Sequence, residues 1–173
     1  MTVYVALLRA INVGGTGRLP MKDLGALCSG LGFGNVRTYI QTGNVVFESR
    51  KGEEGLRKAL ENVLSETLGK PADVVVRSAA EMAAVLAANP FPKAPPAKVG
   101  VAFLNGWLSK SALEEVVIPG KEDVALGRRE AYVHFPDGMG RSKLKLPKSW
   151  GPATMRNVNT IDRLAAMAVE LSG

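Results

Sequence analysis

A glycine-rich loop near the start of the chain carries residues suited to holding an anion. Arg9 and Asn12 follow an apolar run, and Gly14, Gly15 and Arg18 come shortly after them. Glycines let the backbone adopt a positive φ and approach a ligand closely, and the arginine adds a fixed positive charge. We expect this loop to bind a phosphate or carboxylate group, although a plain turn between a strand and a helix needs glycine too.

Two further polar stretches, residues 41–44 and 154–160, have side chains that do not suit a protein core. Their candidate ligand-binding residues are Gln41 and Asn44 in the first, and Arg156, Asn157 and Thr160 in the second. If Arg156 lies near Ser142 and Lys143, its guanidinium would bind a phosphate or carboxylate through two parallel hydrogen bonds. The alternative is that the asparagines only cap nearby backbone groups.

The chain lacks the residues of the common catalytic and metal sites. It has one cysteine, Cys28, and one histidine, His134, with no HExxH motif and no cysteine pair for zinc. We therefore expect no metal and no cofactor, and the sequence leaves open whether the protein catalyses any reaction. Cys28 shares a helical face with three leucines, so we expect it to be buried as a small apolar residue.

Basic residues are concentrated toward the C-terminus. The net charge is +6, from 22 basic and 16 acidic residues, and the segment 141–156 holds five basic residues and no acidic one. A surface of one sign attracts phosphate-bearing partners, nucleic acids included. A merely solvated basic face is the alternative.

The single cysteine and the hydropathy of the chain indicate in which cellular compartment we expect the protein. One cysteine cannot form an internal disulfide, which favours a reducing, cytoplasmic location. There is no run of about 18 apolar residues, so we expect no membrane partner, and the N-terminus does not have the layout of a signal peptide.

The order of elements over about the first 78 residues is β-α-β-β-α-β. An apolar strand over residues 3–10 leads to a helix from Met21, and alternating residues around Gly43 and Asn44 predict a β-hairpin. A leucine-striped helix that Gly69 ends and a strand at 73–77 complete the pattern. This is the ferredoxin-like arrangement, an antiparallel sheet with helices on one face.

A proline-rich segment, residues 89–98, is predicted to link two halves, 1–88 with a trailing helix capped by Ser78 and 99–173 with a final helix. The second half repeats the order of the first, with a short helix capped by Ser109, one or two polar turns that Pro147 cuts short, and a last helix capped by Thr160. We therefore predict an α+β protein of two ferredoxin-like halves plus a C-terminal helix.

The combination of ALLRAINVGGTGRLPM, VRTYIQTGNVVF, GRSKL and GPATMRNVNT resembles the bacterial family catalogued as domain of unknown function 1697. The resemblance implies an α+β fold of two ferredoxin-like halves and brings no reaction. Its motif positions correspond to Arg9, Asn12, Gly14, Gly15, Gln41, Gly43, Asn44, Ser142, Lys143, Arg156, Asn157 and Thr160. Ala10, Thr42 and Val158 depart from the usual glycine, serine and tryptophan of the family.

Three functions remain open. In the first, an anionic ligand, phosphorylated or nucleotide-like, binds where the glycine loop, the hairpin tip and the Arg156 stretch meet, with charge from Arg9, Arg18, Lys143 and Arg156. In the second, the basic 141–156 face binds nucleic acid. In the third, the protein is an interaction scaffold without a small-ligand site. The sequence leaves the oligomeric state open.

Overall fold

The computed structural model describes residues 1–9, 19–40 and 43–173, which form an α+β protein with two four-stranded antiparallel sheets. The chain divides into two compact units. The N-terminal unit consists of Met1–Ala84 and Arg163–Gly173, and the C-terminal unit is Val85–Asp162. The predicted division at a linker over residues 89–98 stays a prediction.

The N-terminal unit has the predicted β-α-β-β-α-β order. Its elements are β1 (Thr2–Leu8), α1 (Met21–Gly30), β2 (Gly34–Tyr39), β3 (Asn44–Ser49), α2 (Glu53–Leu68) and β4 (Val74–Ser78), and α3 (Ala79–Ala87) follows. The strands lie in the order β2-β3-β1-β4 and all neighbours are antiparallel. The apolar first strand predicted from the sequence therefore lies inside its sheet, with a neighbouring strand on each side.

Individual residues determine where helix α2 ends and where helix α3 begins. Helix α2 ends at Gly69, whose φ of +69° is the left-handed conformation that glycine adopts without strain. Helix α3 begins with a reciprocal cap, as predicted for Ser78: its hydroxyl accepts the Glu81 N–H at 3.1 Å, and the Glu81 carboxylate accepts the Ser78 N–H at 2.8 Å.

The edge strand β2 pairs irregularly with β3. The register shifts between Gly34 and Arg37, and Asn35 within this interval has a φ of +47°. The Asn35 side chain donates a hydrogen bond to the Glu48 carboxylate at 3.1 Å. The irregularity is a β-bulge, which bends and twists the strand that carries it.

The core of the N-terminal unit lies between one face of its sheet and helices α1 and α2. The Phe47 ring stacks on Phe33 with centroids 4.3 Å apart and lies 6.0 Å from the Tyr4 ring. Cys28 is buried in this cluster, as predicted, and burial raises the pKa of its thiol to about 12. The thiol is therefore a packing group, because a thiolate would be unstable there.

The C-terminal unit repeats the strand arrangement with much shorter helices. Its strands are β5 (Val99–Leu104), β6 (Asp123–Leu126), β7 (Glu130–His134) and β8 (Ala153–Asn157), in the order β6-β7-β5-β8. Single 3₁₀ turns at Ala112–Glu115, Met139–Arg141 and Lys148–Trp150 stand between these strands. The polar turns predicted from near Ser142 are not formed there, because residues 142–147 are not helical and the two nearest 3₁₀ turns lie on either side of them.

The helix predicted to begin at Ser109 is shorter than expected, and Ser109 does not cap it. Only Ala112–Glu115 is helical, Ser111 occupies the N-cap position, and no side chain caps the turn. The β-branched residues Val116, Val117 and Ile118 and then Pro119 follow at once, and they prevent the turn from growing into an α-helix.

The last helix, α4 (Val158–Ser172), follows β8 directly. Ile161, Leu164 and Ala168 are fully buried on the predicted inward face. None of the helices in the described ranges is long and apolar enough to cross a membrane.

Replacing Phe47 by Ala should lower the free energy of unfolding by about 3–5 kcal/mol, because it removes a fully buried ring and leaves a cavity against Phe33. Urea unfolding followed by circular dichroism measures this loss. The control, Val169→Ala on the exposed side of α4, should change stability by less than about 0.5 kcal/mol. Equal losses in the two variants would contradict the packing described here.

Candidate functional site

Several of the predicted ligand-binding residues lie outside the described residues. They are Asn12, Gly14, Gly15, Arg18 and Gln41, and the same holds for Ala10 and Thr42. Arg9, just before them, is described. Its guanidinium lies 3.4 Å from the Asp73 carboxylate in an exposed ion pair, and its backbone N–H donates to the Asp73 carbonyl at 3.0 Å. The charge of Arg9 is therefore shared with a carboxylate at the surface.

Asn44 is fully buried at the start of β3. Its side-chain Nδ2 donates to the Tyr39 carbonyl at 2.9 Å, which ties the two strands of the hairpin together beside the tip. A buried amide must be satisfied in this way, because an unpaired one would cost the full free energy of desolvation. The Asn44 side chain thus makes the local backbone contact that the sequence left open as an alternative.

Arg156 lies on β8, in register with Val101 of β5, and Val101 is in register with Tyr132 of β7. The three side chains therefore share one face of the sheet. The Arg156 guanidinium donates to the Met155 carbonyl at 3.0 Å, and burial lowers its pKa to about 10. It is still charged at neutral pH.

Asn157 caps α4. Its Oδ1 accepts the Thr160 backbone N–H at 2.9 Å, so the helix begins at Val158. The prediction that Thr160 is the cap is wrong, because Thr160 lies within the first turn and contributes the donor. An asparagine just before the first helical residue is a favoured N-cap, and the sequence contained this signal.

The Arg156 arrangement occurs a second time, in the N-terminal unit. Arg77 lies on β4 in register with Val5 of β1, and its guanidinium donates to the Val76 carbonyl at 3.2 Å. Ser78, the next residue, caps α3 just as Asn157 caps α4. Each half therefore has an arginine on its fourth strand, followed by a capping residue and a helix.

This shared pattern was not detected in the sequence because only the arginine is identical between VVVRS and ATMRN. The available signal was positional: an arginine directly before a capping residue, at the end of a short apolar strand. Arg77 is only 1% exposed, so the positive charge of its guanidinium is buried inside the protein.

Ser142 and Lys143 line a pocket in the C-terminal unit, which we call the basic pocket. It has a volume of about 190 Å³, and neither Arg156 nor Asn157 lines it. Its charged residues are Lys121, Glu122, Asp137, Arg141 and Lys143.

Glu122 organises one wall of the basic pocket. Its Oε1 accepts the Ser142 hydroxyl at 2.9 Å, and its Oε2 accepts the Gly120 N–H at 3.0 Å. The Ser142 Oγ also accepts the Leu144 N–H at 3.1 Å. One carboxylate therefore holds together the two loops that carry Lys121 and Lys143.

Residues 141–148, the first of which line the basic pocket, form a segment with basic side chains and no acidic one, which we call the basic ridge. Arg141, Lys143 and Lys145 are exposed and alternate with less exposed residues, and Lys148 continues the series. Among the residues that the structure describes, none of these four side chains forms an ion pair. Arg37, Arg57 and Arg163, in contrast, all pair with glutamates.

No group of three or more His, Cys, Asp or Glu side chains suited to a metal ion occurs in residues 1–9, 19–40 and 43–173. His134 lies at the end of β7, with its ring 5.8 Å from that of Phe91.

Comparison with known proteins supports the fold and the family. The model of the family described as "Protein of unknown function (DUF1697)" matches residues 1–132, so the chain belongs to that family. No curated protein matches the chain. Among solved structures, it is similar to the conserved bacterial protein SP0830 from Streptococcus pneumoniae, with a TM-score of 0.79 and 24% identity over 96% of this chain and 98% of that chain. At that identity the likeness shows the fold alone.

Replacing Asn157 by Ala should lower the free energy of unfolding by about 1 kcal/mol, because the Thr160 N–H loses its partner at the start of α4. Asn159→Ala, two residues further on and exposed, should change stability by less than about 0.5 kcal/mol. Thermal and urea unfolding of the two variants measure the difference. If Asn159→Ala were the more destabilising of the pair, the assignment of Asn157 as the cap would be wrong.

Proposed function

We propose that this member of the DUF1697 family binds a small phosphate-bearing anion, and that the basic pocket holds it. The observation that carries the proposal is the convergence of Lys121, Arg141 and Lys143 on one pocket, where none of the three forms an ion pair with another described residue. Side chains of one sign that face a common space attract a counter-charge, and a phosphate supplies it.

The carboxylates of the basic pocket do not cancel this attraction. Both oxygens of Glu122 already accept hydrogen bonds, from Ser142 and from the Gly120 N–H. Three cations against Glu122 and Asp137 leave the lining with an excess of one positive charge. A volume of about 190 Å³ favours a small ligand such as a phosphate or a compact phosphate ester over a large dinucleotide.

The larger pocket predicted from the sequence, in which the glycine loop, the hairpin tip and the Arg156 stretch share one ligand, stays a prediction. Arg156 remains charged although burial lowers its pKa to about 10, and a desolvated guanidinium binds anions more strongly than an exposed one. The experiment below separates this pocket from the basic pocket.

The double variant Arg141→Gln with Lys143→Gln should weaken binding of inorganic pyrophosphate about tenfold, since each exposed cation contributes up to about 1 kcal/mol. Isothermal titration calorimetry at moderate salt measures the affinity, after a thermal-shift screen of nucleotides and sugar phosphates. Lys145→Gln removes the same charge from a neighbouring residue that does not line the basic pocket, and it should leave pyrophosphate binding unchanged.

The outcomes of this experiment separate the alternatives. Loss of binding in both Arg156→Lys and the double variant would favour the larger pocket, to which Lys143 also belongs. Loss in the double variant alone would favour the basic pocket, because Arg156 does not line it. Equal weakening by Lys145→Gln would indicate general charge attraction. No binding by the unaltered protein would reject both pockets and favour the scaffold hypothesis.

A second candidate function is binding of single-stranded nucleic acid. The cations of the basic ridge favour it, since none of them forms an ion pair with another residue in the described ranges. Tyr4, Phe47 and Tyr132 cannot stack on bases, because their rings are buried. Binding would therefore depend on phosphate contacts, which release counterions and weaken steeply with salt.

If the basic ridge binds nucleic acid, the variant Lys145→Gln with Lys148→Gln should reduce the slope of log K against log[salt] by about 1.4, or about 0.7 for each lost contact. Fluorescence anisotropy with a labelled oligouridylate at several salt concentrations measures the slope. Lys93→Gln with Lys98→Gln, which removes two exposed lysines elsewhere in the C-terminal unit, is the matched control. An unchanged slope in the ridge variant would reject this function.

A further inference from the structure

Exposed apolar side chains are concentrated in one short segment of the C-terminal unit. Of the seven large hydrophobic residues exposed in the described chain, four lie in the segment 107–118: Trp107, Leu113, Val117 and Ile118. Trp107 is 70% exposed. A concentration of exposed apolar surface marks a binding site more often than scattered single residues do.

A groove opens beside this segment, and we call it the leucine groove. It has a volume of about 470 Å³, within the range typical of small-ligand sites. Its lining consists of Leu108, Ser109, Lys110, Leu113, Leu126, Gly127 and Arg128. Three leucines therefore supply an apolar floor from two different parts of the chain.

The backbone holds these two parts together. The Leu108 N–H donates to the Arg128 carbonyl at 2.7 Å, and the Leu104 N–H donates to the Arg129 carbonyl at 2.9 Å. The groove is thus a preformed feature of the fold.

The charges in the leucine groove are all of one sign. Lys110 and Arg128 line it together with no acidic residue, and neither side chain forms a hydrogen bond or an ion pair with another described residue. The nearby Glu130 carboxylate accepts the Arg129 backbone N–H at 3.3 Å. The Arg129 guanidinium lies 5.3 Å from the centre of the exposed Trp107 ring, so positive charge continues beyond the groove.

We propose that the leucine groove binds an amphipathic anion, a molecule with one alkyl chain and one carboxylate or phosphate head group. The leucines remove the chain from water, and Lys110 and Arg128 attract the head group. A neutral apolar molecule would leave the two cations without a counter-charge, and a hydrophilic phosphate would leave the leucines exposed. The site is distinct from the basic pocket, with which it shares no lining residue.

Octanoate and octyl phosphate test this proposal, with acetate and octyltrimethylammonium as probes that lack the chain or carry the opposite charge. The chain has two tryptophans, so a Trp150→Phe background leaves Trp107, next to Leu108, as the only tryptophan reporter. Both octyl anions should change Trp107 emission saturably, and the other two probes should not. Comparison of the two anions shows which head group the groove prefers.

Leu113→Asp should raise the dissociation constant of octanoate at least about tenfold, because it removes apolar contact and adds a like charge to that of the head group. Lys110→Gln with Arg128→Gln should raise it about fivefold to tenfold, as expected for two exposed cations. The matched controls are Val169→Asp, an apolar-to-acidic change at an exposed position of α4, and Lys93→Gln. Neither control should change the affinity.

Two results would overturn the proposal. One is equal binding of octyltrimethylammonium, which would mean that the groove is merely apolar; the other is unaltered octanoate binding by both groove variants. Octanoate binding should also survive Arg141→Gln with Lys143→Gln, so failure of the basic pocket and failure of the leucine groove give different results.

Discussion

Each half of the molecule depends on a central strand that is buried along both of its faces. Strand β1 is buried from Val3 onward, and β5 is buried throughout. Polar groups that are buried on the neighbouring strands are therefore favoured when they find partners inside the protein, because water does not reach them. The Asn44 amide meets this requirement through the Tyr39 carbonyl.

Arg77 and Arg156, on the strands next to β1 and β5, must also find partners for their polar atoms. Burying a charged guanidinium costs more free energy than burying a neutral amide. A buried guanidinium is unstable unless its donors are satisfied, and both Arg77 and Arg156 bond the carbonyl of the preceding residue. In each half a capping side chain then turns the strand into a helix. The two halves share this arrangement although the other four residues of the two strands differ.

The sequence predicted the elements whose signals are local. The hairpin, the leucine-striped α2 and the end of that helix at Gly69 follow from alternation, periodicity and a left-handed glycine. Cys28 was predicted to be buried because leucines shared its helical face. The helix at Ser109 and the cap at Thr160 were predicted wrongly, since a hydroxyl residue before an apolar one also occurs where no cap forms. The cap is Asn157, whose side chain accepts a hydrogen bond from the backbone N–H three residues later. The spacing between a polar side chain and the first free N–H groups of the helix therefore decides which residue caps it.

The candidate sites were harder to predict because they depend on exposure and on residues far apart in the chain. Ser142 and Lys143 were chosen from the sequence, but their partner Glu122 and the neighbouring Lys121 come from a loop about twenty residues earlier. The leucine groove was missed altogether. Leucines at 108, 113 and 126 look like core residues in the sequence, and only the short 3₁₀ turn at Ala112–Glu115, in place of a full helix, leaves them at the surface.

The bulge in β2 has a consequence for how this protein behaves in a crowded solution. A regular edge strand offers a row of unpaired backbone groups to which a second molecule can add its own strand, and repeated addition leads to fibrils. In β2 the register breaks between Gly34 and Arg37, and Arg37 places a charge in the same strand. A strand with an interrupted hydrogen-bond ladder and a charged side chain is a poor template for such growth, so the β2 edge of the N-terminal sheet disfavours the addition of a further strand.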